Sequence, residues 1–152
     1  AKSEGLRTIL NPAPYFDIDN TNFKLVDYLT PNEHEASFLT NIEIQNIDDA
    51  RVAGRRICEL GVGTSIITMG EKGVLCTRNS DDYDGLYIPS YKLKEKVINT
   101  VGAGDVFNGT FSTAISEDMS LEEALNFANK AASLSVRKEG AALSAPFRDE
   151  IN

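Results

Sequence analysis

Asn99-Thr100-Val101-Gly102-Ala103-Gly104-Asp105-Val106-Phe107-Asn108-Gly109 is the stretch on which the reading of this chain turns. It follows a short strand-like run at Lys96 to Ile98. It opens a helix over 103–116 that places Phe107, Phe111, Ala114 and Ile115 on one face. Gly102 and Gly104 let the backbone turn tightly and approach a ligand closely. A helix N-terminus presents free N–H groups and the positive end of the helix dipole, which together suit an anion such as a transferring phosphoryl group. Asp105 lies in the first turn, where a carboxylate can accept a proton from an attacking hydroxyl. On these residues alone, a plain turn and helix entry remains the alternative. Neither a Walker A sequence nor a G-x-G-x-x-G fingerprint occurs elsewhere to compete for the role.

Outward from this turn, strands and helices alternate. Strand candidates are Leu6 to Leu10, Leu25 to Leu29, Thr64 to Met69, Val74 to Thr77 and Tyr87 to Pro89. Asn11-Pro12-Ala13-Pro14 breaks the first of them. Thr30-Pro31-Asn32-Glu33 reads as a helix start with Thr30 as N-cap and Glu33 closing a capping box, and the helix runs to about Leu39. Asp48 to Leu60 repeats apolar or small residues at positions 50, 53, 57 and 60 and ends on Gly61 as C-cap. Ser120-Leu121-Glu122-Glu123 is a capping box opening a helix to about Arg137, with Leu121, Leu125, Ala128 and Ala132 as its buried stripe. Alternation of this kind predicts an α/β fold with a mainly parallel sheet covered on both faces by helices. No internal repeat, low-complexity tract or linker divides the chain.

The composition sets limits on partners. The 152 residues are 41% hydrophobic and 25% charged, as in a soluble globular domain. A net charge of −8 repels phosphate backbones, so nucleic acid is not an expected general partner, while a local pocket for a small phosphorylated ligand stays open. No apolar run approaches the roughly 18 residues of a membrane span, and no signal-peptide pattern is seen, so a cytoplasmic protein without membrane contact is expected. Cys58 and Cys76 read as buried, reduced thiols. With a single histidine, His34, expected to be exposed, neither a zinc site nor a histidine-dependent nucleophile is expected. Asn108-Gly109-Thr110 matches a glycosylation sequon but falls inside a helix, and Asp81-Asp82-Tyr83-Asp84 reads as a solvated hairpin.

The Gly-Ala-Gly-Asp stretch resembles the second signature of the ribokinase-like, or PfkB, sugar kinases, and other landmarks agree in order. Leu10-Asn11-Pro12-Ala13-Pro14 looks like the segment after a central strand. Thr30-Pro31-Asn32-Glu33-His34-Glu35-Ala36 resembles the family's Asn-x-x-Glu motif, and Thr68-Met69-Gly70-Glu71-Lys72-Gly73 its nucleotide-binding turn. Arg137-Lys138-Glu139-Gly140-Ala141 is similar to a segment near the end of the fold.

The resemblance implies an ATP-dependent kinase that transfers the γ-phosphoryl group to a primary sugar hydroxyl, with D-ribose the favoured acceptor. Asp105 is then the general base, and the amides of Gly102, Ala103, Gly104 and Asp105 form the anion hole. Asn32 and Glu35 stand near the nucleotide phosphates and Mg2+, Glu35 acting through water, unless they are merely solvated helix residues. Thr68, Gly70, Glu71 and Gly73 line ATP, though Glu71 and Lys72 also read as plain turn charges. Asn129 faces the adenine, or is an ordinary polar residue of the helix. Asn99, Val101, Ser135, Lys138, Gly140 and Ser144 match a K+ site, in which Asn99 stands where the family usually has Asp, so weak K+ binding is expected. A fructokinase- or adenosine-kinase-like member, or a non-catalytic nucleotide-binding fragment, are the alternatives.

Family chains are longer. The resemblance implies that the chain is the C-terminal part of the fold, without the sugar-binding part and the lid through which members dimerise. Position 1 then falls within a helix preceding the first strand. An uncovered sheet edge predicts marginal stability or self-association, and no sugar phosphorylation, for this piece alone.

Overall fold

A computed structural model describes residues 2–14, 20–80, 85–93 and 95–151, so the expected hairpin at Asp81–Asp84 and the placement of position 1 lie outside the described residues. The fold is α/β. Among the described residues the strands are β1 (Ile9–Leu10), β2 (Tyr28–Leu29), β3 (Thr64–Thr68), β4 (Val74–Arg78) and β5 (Leu86–Ile88), in that spatial order in one sheet. The β1–β2 and β2–β3 pairs are parallel, as expected. The β3–β4 pair is antiparallel, with Ile66 opposite Cys76, so the sheet is mixed. The physical reason is the short link: a 3-10 turn at Gly70–Lys72 and Gly73 joins β3 to β4, and a parallel crossover needs a dozen residues or more.

The chain divides into two compact units, Ala1–Met69 with Val74–Tyr87, and Gly70–Gly73 with Ile88–Asn152. In the first unit, α1 (Glu33–Thr40) and α2 (Ile47–Glu59) accompany the strands. Ala50, Ala53 and Ile57 of α2 are fully buried, as their spacing predicts, with Phe23, Leu29, Ile67 and Leu75. Leu60 caps α2, and Gly61 follows it at φ +110°, a conformation that suits glycine. Cys58 and Cys76 are buried and unbridged, and the Cys58 thiol donates to the Thr77 carbonyl at 3.4 Å.

Several boundaries differ from expectation, each because a specific hydrogen bond wins. β1 and β2 are short. The Thr8 N–H donates to Asp27 Oδ2 at 2.8 Å instead of to a backbone carbonyl, while the Thr8 carbonyl still accepts from Tyr28 N–H at 3.0 Å, so the strand pairing starts only beyond Thr8. A 3-10 turn at Asn20–Leu25 carries Phe23 into the core. α1 does not start at Thr30. Thr30 N–H donates to the Leu10 carbonyl and the Pro31 carbonyl accepts from Thr68 N–H, both at 3.0 Å, so these residues prolong the strand layer. The cap is Asn32, paired with Glu35.

The second unit holds α3 (Ala103–Ser116), α4 (Leu121–Ser135) and the single turn α5 (Arg148–Ile151). α3 keeps its expected bounds and buries Phe107, Phe111, Ala114 and Ile115. α4 has the expected Ser120–Glu123 capping box, ends at Ser135, and buries Ala124, Leu125, Ala128, Asn129, Ala131, Leu134 and Ser135. Leu121 and Ala132 are only half-buried, so the buried stripe is rotated from the predicted one. Lys96 to Ile98 forms no strand. The Ile98 N–H donates at 2.7 Å to the carbonyl of Val136, the C-cap residue of α4.

Candidate active site

The turn into α3 is built by Gly102. It is the N-cap residue, at φ +82°, and no side chain caps the helix. The Ala103 N–H donates to the Thr100 carbonyl at 3.3 Å, so an incoming anion would meet first the N–H groups of Gly104 and Asp105. The Gly102 carbonyl accepts the first helical bond, from Val106 N–H at 2.9 Å. Gly104 and Asp105 are exposed on this first turn. A Cβ at Gly104 would meet nothing within 4 Å, leaving open space in front of the turn. Behind Gly102 there is none: a Cβ there would lie 2.8 Å from Ala141 Cα and 2.9 Å from Ala141 Cβ. Ala141 therefore packs against the back of the Gly102 turn.

The sequence reading missed two residues of this arrangement. The Asn108 side chain donates from Nδ2 to the Gly104 carbonyl at 2.9 Å, holding the turn from inside the helix. Its spacing from Gly104, one helical turn on, is the signal that was available. Ala141 is the other, and nothing local marks its approach to Gly102.

The residues matched to a K+ site sit around the same turn, with their side chains largely engaged. Asn99 Oδ1 accepts from Val101 N–H at 2.9 Å. The Ser135 and Ser144 hydroxyls donate to the Ala132 and Ala141 carbonyls at 2.8 and 2.9 Å. The Lys138 ammonium pairs with Glu150 at 3.4 Å, and Gly140 turns the chain at φ +94°. The Phe147 N–H holds the Glu150 carboxyl below its usual range, aided by Lys138 and Arg137. Arg148 forks onto Glu117, the C-cap residue of α3, at 2.5 and 2.6 Å, which lowers the Glu117 carboxyl and raises the guanidinium.

Two further groups of candidate residues are each brought together within one unit. In the first unit, an isolated parallel bridge sets Asn32 beside Thr68, beyond the C-terminal ends of β2 and β3. Crevices outside the C-terminal ends of parallel strands are where open α/β sheets bind ligands. Asn32 Oδ1 accepts from Glu35 N–H at 2.9 Å, and Glu35 Oε2 accepts from Asn32 N–H at 2.8 Å. Glu35 is buried, and His34 is exposed, as expected. In the second unit, Gly73, at φ +103°, lies so close to the chain after β5 that a Cβ would stand 2.6 Å from Ser90 N. Asn129 donates from Nδ2 to the Pro89 carbonyl at 2.8 Å, so Gly73 and Asn129 share the 88–90 segment. Glu71 is exposed in the 3-10 turn that Gly70 begins at φ +54°. Among the described residues, no group of three or more His, Cys, Asp or Glu side chains is placed to hold a metal ion. Nor is any helix among them long and apolar enough to cross a membrane.

Comparison with known proteins decides the family. The model of the pfkB family carbohydrate kinases matches residues 1–148. This chain belongs to that family. Over 99% of its length it is 39% identical to a ribokinase of Haemophilus influenzae, and over its whole length 36% identical to one of Staphylococcus aureus. The solved structure of Arabidopsis thaliana ribokinase complexed with ribose and ATP matches 99% of this chain with a TM-score of 0.91, at 32% identity. This pfkB-family chain covers 47% and 49% of the two bacterial ribokinases and 47% of the plant one, about half the length of each. The mixed sheet with its helices is thus a partial ribokinase-like fold.

Proposed function

We propose that this chain provides the nucleotide- and phosphoryl-binding part of an ATP-dependent sugar kinase that converts D-ribose to D-ribose 5-phosphate. The observation that carries the reading is the uncapped N-terminus of α3, entered through a left-handed Gly102 and bearing an exposed Asp105 in its first turn. The ribokinase relatives, one of them complexed with ribose and ATP, support the substrates.

In this reading the sugar's primary hydroxyl oxygen attacks the γ-phosphorus, and the bond from that phosphorus to the β–γ bridging oxygen breaks. ADP leaves with that bond's electron pair, and the hydroxyl proton passes to the Asp105 carboxylate. The amides of Gly102, Ala103, Gly104 and Asp105 receive the charge that grows on the transferring phosphoryl oxygens. A donor set fixed before the reaction is usually the largest contribution in such chemistry. Thr68, Gly70, Glu71, Gly73 and Asn129 hold the nucleotide.

Mg2+ would shield the phosphate charge. Glu35 fits it in kind: one carboxylate oxygen is engaged by Asn32 N–H, and the other has no partner among the described residues. With a single carboxylate, the ion would rest mainly on phosphate oxygens and water, which Mg2+ accepts. For K+, Asn99, Val101, Ser135, Gly140 and Ser144 offer only neutral oxygens, and Lys138 adds a positive charge. Weak binding is the consequence, with little activation of turnover.

The test is a chimera in which this chain replaces the matching part of the Haemophilus influenzae ribokinase. ADP release dependent on D-ribose, lost in Asp105→Ala, is the expected result. Equal turnover in Asp105→Ala would overturn the assignment. The alternative reading is a nucleotide-binding module without catalysis. ATP binding without ribose-dependent turnover in the chimera would establish it.

A further inference from the structure

The contact behind Gly102 carries an inference that rests on the proposed anion site. We propose that Ala141 is a positioning residue for the phosphoryl-binding turn, held against it by a brace that runs along α3. The backbone and methyl of Ala141 fill the space directly behind Gly102 Cα, where even one added carbon would stand 2.8 Å from Ala141 Cα. Gly102 supplies the carbonyl for the first helical bond of α3, so its location sets where the amides of Ala103, Gly104 and Asp105 point.

Ala141 is held directly by Ser144, and its segment by ion pairs on either side. Ser144, 1% exposed, donates its hydroxyl to the Ala141 carbonyl at 2.9 Å. On the N-terminal side, Arg137 and Lys138 reach Glu150 at 3.9 and 3.4 Å, and Glu150 also takes the Phe147 N–H at 2.7 Å. On the C-terminal side, Arg148 forks onto Glu117. The segment from 137 to 151 therefore touches both ends of α3, Ala141 at its N-cap and Arg148 at its C-cap. Exposed ion pairs are individually weak, but here they bracket one close backbone contact. Small displacements of preorganised donors are what reduce phosphoryl transfer most, so this brace acts on rate more than on nucleotide binding.

The experiment is amide hydrogen exchange on the chimera with the parent sequence, Ala141→Val and Ala141→Gly, with Ala142→Val as the neighbouring control. Protection of the Val106 N–H, which bonds to the Gly102 carbonyl, is expected to fall about tenfold in both Ala141 variants relative to Phe111 in mid-helix. It stays at the parent level in Ala142→Val. Inorganic phosphate followed through the Gly104 and Asp105 amide resonances should bind about fivefold more weakly in the Ala141 variants, and in the chimera kcat should fall while the KM for ATP holds. Val106 protection within twofold of the parent in both variants overturns the proposal. If protection falls but the parent amides ignore phosphate, the anion-site reading fails, and with it the catalytic role of Ala141. Ala141→Gly removes only a methyl group, so the test survives if Ala141→Val does not fold.

Discussion

Replacing Gly102 by alanine adds one methyl group, and two separate effects oppose it. The residue sits at φ +82°, where an L-amino acid pays roughly 1–2 kcal/mol. The new carbon also lands 2.8 Å from Ala141 Cα, 2.9 Å from Ala141 Cβ and 3.2 Å from Ala141 O, well inside ordinary van der Waals contact. Two of those three atoms are backbone, so no rotamer change relieves the clash, and overpacking of this kind costs about 1–3 kcal/mol. The expected destabilisation is about 2–5 kcal/mol, a large part of a typical domain's stability. Gly109, on the same helix, is the internal comparison. It is exposed, and a Cβ there meets nothing within 4 Å, so Gly109→Ala should stabilise by roughly 0.8–1 kcal/mol through helix propensity alone. Urea denaturation of the three proteins, each built into the chimera, should put Gly102→Ala below the parent and Gly109→Ala above it, at equal slopes. A Gly102→Ala midpoint equal to that of Gly109→Ala would refute the packing argument, because the two substitutions are chemically identical and differ only in surroundings.

Three further outcomes follow from the same geometry. Asp105→Asn in the chimera should lower kcat at least about a hundredfold, as loss of a general base does, with ATP affinity unchanged by calorimetry. Asn32→Asp keeps an oxygen for the Glu35 N–H and should melt like the parent, yet bind ATP more weakly through charge repulsion; Asn32→Ala should also lose about 0.5–2 kcal/mol of stability. Burial pushes the Asp27 carboxyl up, but the Thr8 amide, the Lys2 ammonium and the Thr8 hydroxyl outweigh it and set its pKa below the usual value. A lowered folded-state pKa means stability that is present above the unfolded value, about 3.9, and lost as pH falls through the folded one. Asp27→Asn should therefore flatten the stability-versus-pH curve below about pH 4; an unchanged acid slope would show that the Thr8 contacts do not favour the ionised form.

What was legible in the sequence was what neighbours along the chain decide. The bounds of α3 and its buried Phe107, Phe111, Ala114 and Ile115 follow from helical spacing and a glycine at the entry, and the Ser120–Glu123 box follows from a four-residue pattern. What was misread depends on partners distant in sequence. Thr30 and Pro31 look like a helix start until Leu10 and Thr68 are seen to bond them into the strand layer. Leu6 to Thr8 looks like strand until Asp27 takes over the Thr8 amide. Lys96 to Ile98 has strand-like residues, but its amide finds the end of α4 instead. For the site the division is the same. The turn at Gly102 and the helix entry with Asp105 in its first turn are local and could be read, whereas the approach of Ala141 to Gly102 is a tertiary fact with no trace in either stretch.

The capping box at α1 shows how one pair of residues can serve both fold and chemistry. Asn32 Oδ1 and Glu35 Oε2 are committed to each other's backbone N–H groups. That leaves, among the described residues, the Asn32 amide N–H2 as a donor and one Glu35 oxygen as an acceptor. A donor beside phosphate oxygens and an acceptor beside the water of a bound cation are the two complementary demands of a charged nucleotide. The reciprocal bonds hold both groups with little rotamer freedom, so less entropy is lost when a ligand arrives. In the function proposed above, helix capping and ligand binding would draw on different atoms of the same two side chains. A motif that reads as an ordinary helix start can therefore be proposed as a binding element too, and variants that separate the two sets of atoms test that proposal.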